Sequence, residues 1–500
     1  MSQLPKPESA SIGALVVPRL ISGLWQLAGG HDDEVDVESA ATFMLPLIKA
    51  GLNCFDMADH YGDAEIVIGT HNNSSDEEIV AFTKWCPPEN GVKTLQQAEA
   101  AVDLALGRMK QKQIALMQYH IWDYTDDTYL HNLNHLRTLQ QRGKIGQIGL
   151  TNTDAAHLEL LIDSGYKIAT NQVSCSVMDR RLTRGRLASV CDKHGVGILA
   201  YGTLLGGFLS EKWLGLAEPD GYEKLNWSLR KYLRFINAAG GWGAFQTVLK
   251  SLSQIAQKHD VSIAAVATRY VLDIPAVSAV IVGTRLTADS QKYIAGNLAA
   301  FTFSLDAEDN GLIAKAQEDL VDIPGDSGDE YRRAPFLTAT GDLSQHIKKG
   351  EQELALAKAI DSGARIEYSS GSKWEPLAGY CRAVRTGSVI RISGTTANSP
   401  LPSIPVVGGR SARSQTVHVL DIIGRALKVL GGSLSDVVRT RIMVPDVDDV
   451  DEISKAHGWA FNCAGVRPAN TLVVTNLVGP EFLVEIEAEA VLGFDKVVRI

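Results

Sequence analysis

Cysteine is scarce in this sequence. Six occur in 500 residues (Cys54, Cys86, Cys175, Cys191, Cys381, Cys463), and no two form a Cys-x-x-Cys pair. That spacing excludes a disulfide framework and a zinc ribbon, and it leaves reduced, mostly buried thiols and no metal site. Long apolar runs are missing too, so nothing approaches the roughly 18 to 20 residues that span a bilayer. The opening MSQLPKPESASIGALVVPRL has no cationic start leading into an apolar stretch. No secretory leader is expected, therefore, and the expected location is cytoplasmic. A surplus of positive charge is also absent, with 48 Lys and Arg against 58 Asp and Glu for a net charge of -10. A broad nucleic-acid surface is thereby argued against, although a local basic pocket for one phosphate is not.

What the chain has is length and alternation. At 500 residues it exceeds one ordinary core, so two or more domains are expected. From residue 14 to about 300, short apolar runs alternate with helix-period segments. The strand candidates are LVVPRLISG, LNCFDMAD, EIVAFTKW, IALMQYHIW, IGQIGLTN, IATNQVSC, VGILAYGT and SAVIVGTR. Segments such as LQQAEAAVDLALGRMK and AAHLELLIDSG lie between them, with apolar positions three and four residues apart. Eight such units predict an α/β fold, a (β/α)8 TIM barrel. A doubly wound open sheet would instead place a Gly-x-Gly-x-x-Gly turn after the first strand, and ISGLWQLAGGH lacks it. One connection, after LAYGTLLGGFLS, runs for about 35 residues and carries Trp213, Trp227 and Trp242. A binding lid and a packed surface excursion both fit it.

Beyond residue 325 the pattern changes. The sequence predicts a barrel over 1–325 and a polar linker over 326–365 that includes the helical stretch QHIKKGEQELALAKAID. A compact α+β domain is expected over 366–500, with strands SVIRISGTT, VVRTRIMVPD, TLVVTNLV and LVEIEAEAVLG.

Four ionisable residues share one position in the expected barrel. Asp56 closes the second strand, Tyr61 follows in the next loop, Lys84 closes the third strand and His120 the fourth. The C-terminal ends of barrel strands form the active-site face, so all four should converge at one mouth. Singly, Asp56 could cap a turn, Lys84 could snorkel and His120 could be a core histidine. Together they suit hydride transfer to a carbonyl, whose oxygen needs a proton as it becomes an alkoxide. A tyrosine hydroxyl titrates near 10, and a neighbouring ammonium fixed by a carboxylate lowers that value. A histidine can donate to the carbonyl oxygen and polarise it.

FDMADHYGDAE, FTKW, MQYHIW and GKIGQIGLTN resemble the aldo-keto reductase superfamily over about residues 14–320. The resemblance implies Asp56, Tyr61, Lys84 and His120 as the catalytic set and a nicotinamide cofactor, NADP with NAD as the alternative. It also implies that Thr151, Asn152 and Gln172 hold the nicotinamide carboxamide and that Tyr201 stacks on the ring. Gly23, Gly202, Leu204 and Gly206 would line the cofactor path, Thr284 and Arg285 would hold a 2′-phosphate, and Asn297 the adenine. Arginine suits the phosphate because its planar fork matches phosphate geometry. Lys292 would add charge to the same pocket. Two features depart from the pattern: the stretch from Gly283 to Asn297 is long, and Gly296 stands where many members carry Glu. Trp25, Trp85 and Trp122 are candidates for an aromatic substrate pocket, which fits an aldehyde, a ketone or an aldose.

YCRAVRTGSVIRISGTT, LSDVVRTRIMVPDVDDV and RPANTLVVTNLVGPEFLVEIEAEAV resemble the RidA (YjgF) family, whose small chorismate-mutase-like domains usually form trimers. Members that hydrolyse imines and enamines carry Arg where this chain has Asn470, and Asn cannot grip a carboxylate with a charged fork. Arg467, Asn470 and Glu487 remain as candidates for a polar pocket there. The resemblance implies a homo-oligomer, a trimer through the C-terminal domain, and a module for oligomerisation or imine handling. Two functional classes follow for the whole chain. One is an enzyme interconverting a small carbonyl substrate and an alcohol. The other is a non-catalytic protein that senses nicotinamide on a reductase fold.

Overall fold

The computed structural model describes residues 4–28, 36–87, 91–288, 292–333, 356, 359–494 and 497–498. The helical stretch expected over 345–361 lies largely outside the described residues.

The strands, in chain order, are β1 (Ser9–Ile12), β2 (Leu15–Pro18), β3 (Leu20–Gly23), β4 (Cys54–Asp56) and β5 (Val80–Trp85). They continue with β6 (Ile114–His120), β7 (Ile145–Thr151), β8 (Thr170–Ser174), β9 (Gly197–Tyr201) and β10 (Val277–Gly283). Strands β3 to β10 close into an eight-stranded parallel barrel, with β10 returning to β3. This is the (β/α)8 architecture expected from the alternation.

The first expected strand divides in two. LVVP pairs antiparallel with β1 as a hairpin, and only LISG enters the barrel. Ile12 and Val17 of the hairpin join Ile21, Cys54, Phe82, Leu116 and Leu199 in the barrel's inner core. The division falls at Pro18–Arg19, inside the run expected as one strand, and the hairpin strands are partly exposed where LISG is wholly buried. Side chains alternate along each strand. Phe82 and Leu116 face the axis, so Lys84, Gln118 and His120, two or four residues on, face it at the mouth. Trp85 and Tyr119 face the outer layer beneath the helices.

After β9 the long connection is packed rather than loose. Phe208, Trp213, Trp242 and Phe245 make a tilted and edge-on aromatic cluster. The same connection carries a helix, Trp227–Ala238, started by the Asn226 side chain accepting from the Leu229 N–H.

The C-terminal domain is a six-stranded sheet of β11 (Ile366–Tyr368), β12 (Ala383–Thr386), β13 (Val389–Thr396), β14 (Val437–Val444), β15 (Ala469–Val474) and β16 (Glu485–Val491). Its order is β11-β12-β13-β16-β14-β15, antiparallel except for β14 with β15. Strands β11 and β12 are short additions the sequence pattern did not reveal. Helices Ala412–Val429 and Val450–Cys463 bury Val419, Ile423, Leu427 and Phe461 with the sheet's inner face.

Helix Ala412–Val429 also docks on the barrel helix Ala155–Asp163. The Ser414 hydroxyl donates to Asp163 over 2.7 Å, and the Gly408 N–H to the Ser164 hydroxyl over 2.8 Å. Arg425 pairs with Asp127 and Lys428 with Asp123 across the same boundary. At its centre is His157, fully buried and stacked on Tyr124 with ring centroids 3.4 Å apart. It bridges Asp154 of the barrel at 2.7 Å and Asp421 of the C-terminal domain at 2.9 Å.

Candidate active site

Three strand ends bring the expected catalytic residues together. Lys84 Nζ lies 2.5 Å from Asp56 Oδ1, donates to the Met57 carbonyl at 2.8 Å and sits 5.1 Å from the Tyr61 ring centroid. Asp56 Oδ2 accepts from the amides of Gln118 at 2.7 Å and Gln172 at 2.8 Å. A buried carboxylate with three donors is fixed in orientation, and it fixes the ammonium in turn. His120 is 4 % exposed, and its Nε2 is buried without a hydrogen-bond partner among the described residues. Burial, with Arg332 next, holds its pKa well below the usual histidine range. The ring is therefore uncharged at neutral pH and, in the Nε2–H tautomer, has a donor to offer.

The residues expected to hold the cofactor lie around the same mouth. Thr151 and Gln172 are buried, with the Thr151 hydroxyl donating to the Gln172 carbonyl at 3.2 Å. Asn152 has a φ of 54°, and its Oδ1 accepts from the Tyr201 hydroxyl at 2.7 Å. Its amide nitrogen keeps donor capacity. Gly202 and Gly206 have φ of 71° and 67°, and a Cβ on either would come within 3 Å of Tyr232. Leu204 lies between them, partly buried. The Gly23 carbonyl accepts from the Thr284 N–H at 2.8 Å, joining the ends of β3 and β10, and Arg285 follows exposed. Asn297 sits half-buried on the helix Lys292–Leu298 with Lys292 exposed at its start. An unpaired buried Nε2, a left-handed Asn152 and glycine turns beside a cationic strand end fit a nicotinamide dinucleotide.

Of the three tryptophans, two reach the mouth. Trp122 packs on His120 with centroids 3.9 Å apart, and Trp25 lies 5.1 Å from Lys231 Nζ. The structure does not bring Trp85 there; it packs on Tyr119 in the outer layer, at 5.6 Å. The alternation that points Lys84 inward points its neighbour out.

Sequence reasoning missed four residues here. Gln118 holds Asp56. Lys231 is carried in by the long connection, and its Nζ donates to the Tyr331 hydroxyl at 2.7 Å and lies 5.3 Å from the Tyr201 ring. Tyr331 also meets the Tyr201 hydroxyl at 3.2 Å and faces His120 edge-on at 5.6 Å. Arg332 donates to the Asn152 carbonyl at 2.7 Å and to the Tyr124 hydroxyl at 2.8 Å. Residues 326–333, read from sequence as the start of a linker, are thus tied over the barrel mouth. Glu330 pairs with the buried Arg181 at 2.5 Å, and a Cβ on Gly328 would come within 1.9 Å of the Asn152 carbonyl oxygen. The available signal was DEYRR, an aromatic between an acidic and a basic pair inside a polar stretch.

In the C-terminal domain the three candidate residues are not gathered into one pocket. Asn470 Nδ2 donates to the Thr440 hydroxyl at 3.0 Å, which meets His457 Nε2 at 3.0 Å. Burial brings the His457 pKa down to about 4. Glu487 pairs instead with Arg441 at 3.1 Å, and Arg467 is exposed.

A parallel eight-stranded barrel with a buried Asp–Lys pair, a nearby Tyr and an uncharged His at one mouth defines the class of oxidoreductases that interconvert carbonyls and alcohols. A family model described as Aldo/keto reductase family matches residues 19–318, and the chain belongs to that family. A second model, described as Endoribonuclease L-PSP, matches residues 371–492, the RidA-like domain. Flagellar radial spoke protein 5 of Chlamydomonas reinhardtii is 38% identical over 133 residues, 26% of this chain and 25% of that protein. The chain therefore matches about a quarter of that relative's length. The glycerol dehydrogenase structure from Gluconobacter oxydans is 19% identical, covers 64% of this chain and 97% of its own, and has a TM-score of 0.50. A YjgF-family structure from Mycobacterium tuberculosis is 39% identical over 26% of this chain and all of its own, with a TM-score of 0.23.

Proposed function

We propose that the barrel is an NADPH-dependent reductase interconverting a small aldehyde, ketone or aldose and its alcohol. The observation that carries this reading is the buried Lys84–Asp56 pair beside Tyr61, facing the unpaired Nε2 of His120. A bound nicotinamide would supply the hydride. His120 donates from Nε2 to the carbonyl oxygen and orients it. Tyr61 gives its hydroxyl proton to that oxygen as negative charge develops, and Lys84, held by Asp56, stabilises the phenolate left behind. Lys231, Tyr331 and Trp122 close the mouth over these groups and restrict water.

NADPH oxidation followed by absorbance across a panel of carbonyls tests the reading, with wild type set beside Tyr61→Phe. Turnover that requires Tyr61 supports it. Tight NADPH binding without turnover of any substrate would favour a nicotinamide sensor. The choice of NADP over NAD rests on Arg285 and Thr284. Arg285→Ala should raise the KM for NADPH by roughly 10- to 100-fold, as expected for the loss of charge-assisted phosphate contacts. The KM for NADH should change little.

For the C-terminal module we propose an assembling role, with the chain forming a homotrimer. Strand β15 is almost wholly exposed, and Val438, Val473, Val474 and Val478 present apolar surface around it. Light scattering should give about three times the chain mass, and Val474→Asp should reduce it to the monomer's. The Asn470–Thr440–His457 chain has no cation at the Asn470 position to grip a carboxylate. Amino-acid-derived imines should accordingly be hydrolysed no faster than in its absence, by an assay of released ammonia.

A further inference from the structure

Between the barrel and the C-terminal domain lies a cleft of about 470 Å³, separate from the mouth and from the surroundings of Asn470. Arg181, Arg184 and Arg186 enter it from the segment after β8, Arg413 from the start of helix Ala412–Val429, and Trp459 from helix Val450–Cys463. Two of these arginines are well satisfied. Arg181 is held by Asp179 at 2.7 Å and Glu330 at 2.5 Å, and Arg186 by Glu159 at 2.7 Å.

The other two are not. Arg413 is 9 % exposed, and its Nε is buried with no hydrogen-bond acceptor among the described residues. Its carboxylate neighbours stand off, Glu452 at 3.4 Å and Glu159 at 3.8 Å. A buried guanidinium donor without an acceptor is unfavourable, so a ligand oxygen that supplies one is favoured there. Arg184 has no ion pair or side-chain hydrogen bond among the described residues. Two carboxyls share the wall: Asp322 is taken up by Arg180 at 2.5 Å, and burial, then Asp154 and Asp329, pushes the Asp326 carboxyl up to about 7. Around neutral pH Asp326 is therefore partly protonated and only partly offsets the guanidinium charge.

We infer that this interdomain cleft binds a small organic anion, a carboxylate or a phosphate, held by Arg413 and Arg184 with the Trp459 indole as a flat apolar wall. Its volume falls within the roughly 300–1,000 Å³ of small-molecule sites. Guanidinium is the group suited to both anions, because its fork matches their paired oxygens. The ligand touches both domains, so the docked arrangement is the one that binds it.

Calorimetric titration of the full chain with citrate, and separately with pyrophosphate, tests the inference, each in the presence and absence of saturating NADPH. One saturable site per chain is expected for at least one probe, with the same affinity whether or not NADPH is present. Citrate binding alone marks a carboxylate site, and pyrophosphate binding alone a phosphate site. Affinity should fall tenfold or more in Arg413→Gln and in Arg184→Gln. Arg184 is exposed and contacts none of the catalytic groups, so Arg184→Gln should fold and keep its turnover without the anion. That variant decides the matter even if Arg413→Gln does not fold. No saturable binding of either probe at millimolar concentration would overturn the inference. So would displacement by NADPH, or unchanged affinity in Arg184→Gln.

Discussion

Tyr61→Phe should reduce kcat by roughly 10²- to 10⁴-fold, the range for removal of a positioned proton donor, while leaving the NADPH dissociation constant within about twofold. The substitution removes one oxygen and leaves the ring, its edge-on contact with His60 and its place beside Lys84. Lys84→Met should give a loss of comparable size for a different reason. It takes the ammonium from Asp56, whose 3 % exposed carboxylate would keep only the two glutamine amides. The double variant Tyr61→Phe/Lys84→Met should be little worse than either single one, because the two residues act as one donor. Stopped-flow hydride transfer separates these losses from slow product release. A double variant whose losses multiply would refute the coupled donor.

His157→Gln should cost about 3–5 kcal/mol of stability, the scale seen when one partner of a buried ion pair is removed. The imidazole is fully buried and bridges two carboxylates from two domains. Burial alone would lower its proton affinity. Asp154 and Asp421 outweigh it and push the pKa up to about 9. The folded value thus stands above the unfolded one of about 6.5. The contribution is complete below pH 6.5 and is lost as pH rises through 9. Thermal melts of wild type and variant should differ by several degrees between pH 6 and 7, with the gap narrowing above pH 9. Equal melting temperatures at pH 7 would show that the clasp contributes nothing. Arg333 moderates the effect, since it pairs with Asp154 at 3.2 Å and Asp329 at 3.0 Å and stays charged throughout.

The four residues proposed as catalytic were legible because each strand announces itself by composition, with Asp56, Lys84 and His120 at strand ends and Tyr61 in the loop just after one. Asp56, Lys84 and His120 needed only the count of strands and the rule about which face is active. Trp85 shows the limit of that reasoning. It is adjacent to Lys84 in sequence and opposite to it in the barrel, and a list of nearby aromatics ignores the two-residue period. The hairpin β1–β2 was hidden for another reason: apolar residues flank Pro18–Arg19 on both sides, so hairpin strand and barrel strand run together as one segment.

The sequence by itself determined the barrel, the second domain and the Asp–Tyr–Lys–His centre, because periodicity and residue type are local properties. Only the tertiary structure decided what surrounds them. Lys231 comes from a helix more than a hundred residues after His120, and Tyr331 from a segment with the composition of a linker. His157, Asp421, Arg184 and Arg413 gain their meaning from the docking of two domains. Contacts between groups far apart in the chain depend on how whole elements pack, and no local pattern carries that information.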